Sequence, residues 1–101
     1  MATTTITLDN FEQTISEGGI VLVDFWAGWC GPCRAFAPVF ETASDKHDDI
    51  VFGKVDTEDE QDLARGFQIT SIPTLMVFRD GILVYAQPGA LPAQHLEQLI
   101  E

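Results

Sequence analysis

Ile20-Val21-Leu22-Val23-Asp24-Phe25-Trp26-Ala27 runs directly into Gly28-Trp29-Cys30-Gly31-Pro32-Cys33, and the fold turns on that junction. Ile20–Ala27 is apolar on both of its alternating faces, interrupted only by Asp24, which predicts a central strand buried on two sides. Alternation puts Asp24 on one face with Leu22 and Trp26, and Val21, Val23 and Phe25 on the other. After the Gly-Pro turn, Cys33–Lys46 reads as a helix whose apolar stripe is Phe36, Val39, Phe40 and Ala43. Pro38 lies inside that helix and removes a backbone donor, so a kink is expected there. Both cysteines of the chain therefore sit where a central strand ends and a helix begins. In open α/β sheets that carboxyl edge is where ligands gather.

Working outward, Thr3–Leu8 reads as a β-branched strand. Asp9 with Glu12 resembles a capping box opening a helix to about Ser16, which Gly18-Gly19 ends. Ile50–Asp56 is a second buried strand. Thr57 with Glu60 forms another capping-box pattern, for a helix closing near Gly66. Ser71-Ile72-Pro73 leads into a strand over Thr74–Phe78, Arg79-Asp80-Gly81 is a hairpin turn, and Ile82–Ala86 is the returning strand. Pro92 begins a terminal helix with Leu96, Leu99 and Ile100 facing inward. The order is βαβαβα followed by ββα. Helical crossovers imply parallel pairing first and the tight turn an antiparallel hairpin last, giving a mixed sheet with helices on both faces.

The 101 residues fit one domain, 1–101, with 46% hydrophobic residues to fill its core. Five basic against sixteen acidic side chains give a net charge of −11, which argues against nucleic acid or an anionic membrane as partner. Most of that acidity serves solubility; a basic-rimmed protein partner is the sharper reading. Met1–Leu8 has neither the charged start nor the apolar core of a secretory signal, and no run reaches membrane-spanning length. A lone Cys-x-x-Cys in such a chain points to a reducing, cytoplasmic setting.

Cys30 falls at the expected N-cap of its helix. A thiolate there faces unpaired backbone N–H groups and the positive end of the helix dipole, and Arg34 in the first turn adds positive charge. Lowering the thiol pKa activates the nucleophile of disulfide exchange. Cys33, nearer the apolar stripe, is expected to be the more buried, giving an exposed attacker and a shielded resolver. Pro32 fixes φ in the first turn, and Gly31 leaves the approach to Cys30 open. The competing use of Cys-x-x-Cys is half a zinc site, but only His47 and His95 are on hand as further imidazole ligands, far apart in the chain.

With Val23-Asp24-Phe25-Trp26-Ala27, Trp29-Cys30-Gly31-Pro32-Cys33, Lys54-Val55-Asp56, Ser71-Ile72-Pro73-Thr74, Asp80-Gly81 and Gly89-Ala90-Leu91 in order and at matching spacing, the chain resembles the thioredoxin family over essentially its whole length. The resemblance implies the thioredoxin fold, a mixed five-stranded sheet flanked by four helices (βαβαβαββα), and dithiol–disulfide exchange in a monomer. Carried over by position, Cys30 attacks a substrate disulfide and Cys33 resolves the mixed disulfide. Pro73 matches the family's cis-proline, and the Ile72 backbone pairs with bound substrate. Trp29, Gly31, Pro32, Ile72, Pro73 and Gly89 form the substrate-binding rim. No bound cofactor is implied. Electrons come from NADPH through a flavin-containing thioredoxin reductase, and the clients are disulfide-containing proteins such as reductases and peroxidases.

Asp24 repays reading from the residue itself. A carboxylate within a buried strand is costly, so a functional role outweighs an incidental one. Desolvation should raise its pKa and fit it to exchange a proton with Cys33, while Lys54 on the neighbouring strand opposes the rise. Trp26 and Phe25 read as core. The chain departs from the family pattern at Gly28, often polar elsewhere, at Ser71, often glycine, and at Pro88, which stiffens one rim before Gly89. Two other readings fit: an oxidant or isomerase of the same fold, which Gly31-Pro32 disfavours, and a binding subunit that uses the domain as a scaffold.

Overall fold

The computed structural model describes residues 2–100. Its elements are β1 (Thr3–Thr5), α1 (Leu8–Ser16), β2 (Ile20–Trp26), α2 (Gly31–Lys46), β3 (Val51–Asp56), α3 (Gln61–Gly66), β4 (Thr74–Arg79), β5 (Ile82–Pro88) and α4 (Ala93–Ile100). They form one sheet in the order β1-β3-β2-β4-β5. The β1–β3 and β2–β3 pairs are parallel; β2–β4 and β4–β5 are antiparallel. The predicted element order and mixed pairing hold.

β2 lies inside the sheet, hydrogen-bonded on both sides, because it carries apolar side chains on both faces. Val21, Val23 and Phe25 pack with Ile6, Val55, Leu63, Met76 and Phe78 on the α1/α3 side. Leu22 joins Phe36, Phe40, Ala43, Phe52, Leu75 and Leu96 on the α2/α4 side. Each fully buried phenylalanine there stabilises the fold by about 1.5–3 kcal/mol relative to exposure. α2 runs through Pro38 and buries Phe36, Phe40 and Ala43 of the predicted stripe, with Val39 half-buried beside them and Cys33 buried as well. Leu96 of α4 is fully buried, and Leu99 and Ile100 lean on the same cluster.

Both predicted capping boxes are displaced. The first strand is shorter than Thr3–Leu8 because Thr7 turns into the N-cap of α1: its Oγ1 accepts from Asn10 N at 3.4 Å, and its N–H donates to Asn10 Oδ1 at 2.8 Å. Asp9 and Glu12 then lie within the helix. Thr57 caps nothing; its N–H and its Oγ1 both donate to the Trp26 carbonyl, at 2.9 and 3.0 Å. Glu60 reaches across to accept from Leu8 N at 2.9 Å, and α3 starts after it without a side-chain cap. Thr57 and Glu60 thus satisfy backbone groups in neighbouring elements instead of capping α3. The hairpin turn is as predicted, with Asp80 (φ 52°) and Gly81 (φ 83°) both left-handed, the two-residue geometry that matches strand twist. Gly53 in β3 admits Ile6 against the backbone: an added Cβ would lie 2.8 Å from Ile6 Cγ1 and closer still to Cδ1.

Candidate active site

Three chain segments meet at the carboxyl end of β2: the loop into α2, the turn before β4, and the end of β5. Cys30 is the N-cap of α2, with extended backbone (φ −89°, ψ 114°), and Pro32 occupies its first turn. Cys33 N–H donates to Cys30 Sγ at 3.1 Å. The two sulfurs are joined as a disulfide. On reduction, the same N–H and the helix dipole are placed to stabilise a Cys30 thiolate. Arg34 is in the first turn, but its guanidinium is turned onto Gly28 O at 2.9 Å, pinning the loop that carries Trp29.

The expected contrast of an exposed Cys30 and a buried Cys33 is not what the oxidised structure has. Cys30 is 4% and Cys33 2% exposed, both packed with Ala27 under the partly buried Trp26 and Ile72. The difference between them lies in hydrogen bonding, since the helix N–H converges on Cys30 Sγ. The surroundings are open instead: Gly28, Gly31 and Pro32 are exposed, and Trp29 is 68% exposed.

Ile72 and Pro73 face the pair from the far side. The Ile72–Pro73 peptide is cis, and Ile72 O lies 3.7 Å from Cys30 Sγ. Pro73 is buried, and its carbonyl accepts from Gly89 N at 2.7 Å, which brings the end of β5 to the site. Thr74 Oγ1 donates to Ser71 O at 2.5 Å and closes the preceding turn. Trp29, Gly31, Pro32, Ile72, Pro73 and Gly89 are thus gathered around one disulfide.

Asp24 is fully buried, and neither carboxylate oxygen has a hydrogen-bond partner among the described residues. Desolvation pushes its pKa from 3.8 to about 7, against the opposing pull of the Lys54 ammonium. The register explains that pairing, since Asp24 and Lys54 are direct neighbours across β2 and β3. Burial outweighs the cation, a balance the sequence left open. A group that changes protonation near pH 7, on the strand leading into the disulfide, is suited to accept and return a proton.

Trp26 does more than the core packing expected of it. Lys54 Nζ sits 5.0 Å from the ring centroid, a cation–π distance, and the carbonyl anchors Thr57. Its buried Nε1 has no hydrogen-bond partner among the described residues. Shared facing with Asp24 was the available signal; the missing piece was the strand register that brings Lys54 alongside. The zinc alternative finds no support. His47 Nε2 is bound to Glu97 Oε1 at 2.7 Å and stacked near Phe52, and His95 is exposed. Among the described residues no three His, Cys, Asp or Glu side chains are grouped to hold a metal.

Comparison with known proteins decides the family. The thioredoxin family model matches residues 2–101. The chain belongs to the thioredoxin family. A relative from Streptomyces coelicolor that carries a thioredoxin name is 52% identical over 99 residues, covering 98% of this chain and 74% of its own. A Coprinus comatus thioredoxin is 41% identical over 96 residues, 93% of this chain and 90% of its own. Among solved structures, a Plasmodium falciparum thioredoxin superposes with a TM-score of 0.89 at 37% identity, covering 97% of this chain and 96% of that one. The fold is thus the thioredoxin fold, and Cys30 and Cys33 are the family's redox-active pair. No described helix is long and apolar enough to cross a membrane.

Proposed function

We propose that this chain, as one thioredoxin domain over residues 1–101, is a protein-disulfide reductant of the cytoplasm, acting as a monomer. The observation that carries the reading is the Cys30–Cys33 disulfide at the helix N-terminus, with a helix N–H on Cys30 Sγ and a buried, near-neutral-titrating Asp24 behind it. In the reduced protein the Cys30 thiolate attacks a substrate disulfide; one sulfur–sulfur bond forms as another breaks, and the first substrate thiolate leaves. Asp24 carboxylate takes the Cys33 proton. The Cys33 thiolate then attacks Cys30 Sγ, closing the intramolecular disulfide and expelling the second substrate thiolate. Two electrons pass from the protein dithiol to the substrate, whose thiolates take up two protons, one from Cys33 by way of Asp24 and one from solvent. Lys54 holds down the pKa of Asp24 so that the carboxylate exists near neutrality. Trp29, Gly31, Pro32, Ile72, Pro73 and Gly89 receive the substrate segment, with the Ile72 backbone as its hydrogen-bonding edge.

Re-reduction draws on NADPH through a flavin-containing thioredoxin reductase, and disulfide-containing reductases and peroxidases are the clients. The test is turnover of a protein disulfide such as that of insulin, with NADPH and a bacterial thioredoxin reductase in excess. Sustained NADPH consumption that stops in Cys30→Ser supports the reading. A chain that cannot be re-reduced, or a Cys30→Ser variant with full turnover, overturns it.

A further inference from the structure

Beside the disulfide, where Ile72 packs on the cysteines and Trp29 precedes Cys30, lies a groove lined by Trp29, Thr57, Ala64, Ile69, Ser71 and Ile72. Its floor is apolar and its walls are uncharged. The segments 67–78 and 82–94, which supply Ile72, Pro73 and Gly89, contain no Asp, Glu, Lys or Arg at all. The charge beside this groove comes from the residues that follow Thr57. Thr57, held by two hydrogen bonds to Trp26 O, is followed directly by Glu58 and Asp59. Both are exposed, and no ion pair reaches either one among the described residues. A second, polar depression continues from them, lined by Leu8, Glu58, Asp59, Glu60, Gln61 and Asp62. Of the other carboxylates lining it, Asp62 of α3 is within 3.4 Å of Arg65, and Glu60 is committed to Leu8 N. Glu58 and Asp59 are left to face solvent next to Thr57 of the groove. The nearest cation in sequence to the pair, Arg34, is exposed and turned onto Gly28 O.

The geometry points to a specific occupant: an extended protein segment whose disulfide cysteine is flanked by lysine or arginine, with its side chains on the uncharged groove and its cation against Glu58 and Asp59. This deepens the reductant reading and rests on it. The apolar floor supplies contact without selecting charge, and the fixed loop supplies a field of one sign beside Thr57. A net charge of −11 steers the same cationic segments inward from a distance. An exposed ion pair of middling strength changes an equilibrium by roughly two- to threefold, so two carboxylates give about three- to tenfold selection. Because the carboxylates are exposed, the selection must fade as salt shortens the screening length from about 10 Å at 0.1 M to about 3 Å at 1 M.

The test uses three synthetic peptides of equal length, each with one intramolecular disulfide flanked by two lysines, two glutamines or two glutamates. Single-turnover reduction by the reduced full chain is followed at 20 mM and 1 M salt, in the parent and in Glu58→Gln/Asp59→Asn. The lysine peptide is expected to react about three- to tenfold faster than the glutamate peptide at low salt, with the ratio collapsing toward one at high salt and falling in the double variant. Equal rates for all three peptides at low salt overturn this inference and leave the reductant reading standing. A selectivity unchanged in the double variant also overturns it, by placing the selection elsewhere. Failure to reduce even the glutamine peptide overturns both.

Discussion

Replacing Asp24 by Asn removes a buried charge while keeping the side chain's shape, and its effect on stability can be worked from the structure. The carboxylate is fully buried and its pKa is raised from 3.8 to about 7 by desolvation, with Lys54 opposing. At about 1.4 kcal/mol per pKa unit, that rise amounts to about 4 kcal/mol of destabilisation when Asp24 is ionised in the folded state. For an acid whose folded pKa is raised, the folded state binds more protons than the unfolded one between the two values. Stability is therefore fully present below pH 4, declines as pH climbs from 4 to 7, and loses nothing more above 7. Asp24→Asn does not titrate, so it should match the parent below pH 4 and exceed it by up to about 4 kcal/mol from pH 7 upward. Urea denaturation of the oxidised protein at intervals from pH 3.5 to 9 measures this directly. A difference that does not change with pH, or a variant no more stable than the parent at pH 8, would refute the desolvation argument. The same variant should reduce a protein disulfide more slowly at neutral pH, because Cys33 loses its proton acceptor; unchanged single-turnover rates would remove Asp24 from the proton path.

Other consequences follow from packing and exposure. Phe40→Ala deletes a fully buried ring packed at 5.3 Å against Phe52 and 5.7 Å against Phe36, and should cost about 3–5 kcal/mol in chemical denaturation. Gly53→Ala drives a methyl into Ile6 and should destabilise by about 1–3 kcal/mol; pairing it with Ile6→Ala should cost less than the two single changes added together. Trp29→Ala, at an exposed position, should leave the denaturation midpoint nearly unchanged, within about 0.5 kcal/mol, while raising KM for a protein disulfide several-fold.

What the sequence disclosed follows the reach of each signal. Continuous burial identified β2 as central because seven apolar or aromatic residues around one carboxylate leave no solvent face. The helix stripe of Phe36, Val39, Phe40 and Ala43 held because its period belongs to the helix alone. The capping boxes misled because Thr7 with Asn10 forms an equally good box two residues before Asp9, and because Thr57 and Glu60 serve neighbouring backbone, which local pattern cannot place. Cys30 was placed correctly at its N-cap, but its exposure was not, since Ile72 and Trp26 cover the pair from 42 residues downstream and from the strand before it. The competition between burial and Lys54 at Asp24 depended on register and depth, both tertiary quantities. Lys54 over the Trp26 ring lay beyond reach for the same reason.

The central claim is directional: Cys30 attacks and Cys33 resolves. Incubating reduced Cys33→Ser and reduced Cys30→Ser separately with a disulfide substrate, then resolving covalent adducts by mass spectrometry without reductant, tests it most directly. Cys33→Ser should accumulate a mixed disulfide through Cys30 that persists until a thiol is added, and Cys30→Ser should form little or none. Trapping through Cys33 in Cys30→Ser, with none in Cys33→Ser, would contradict it.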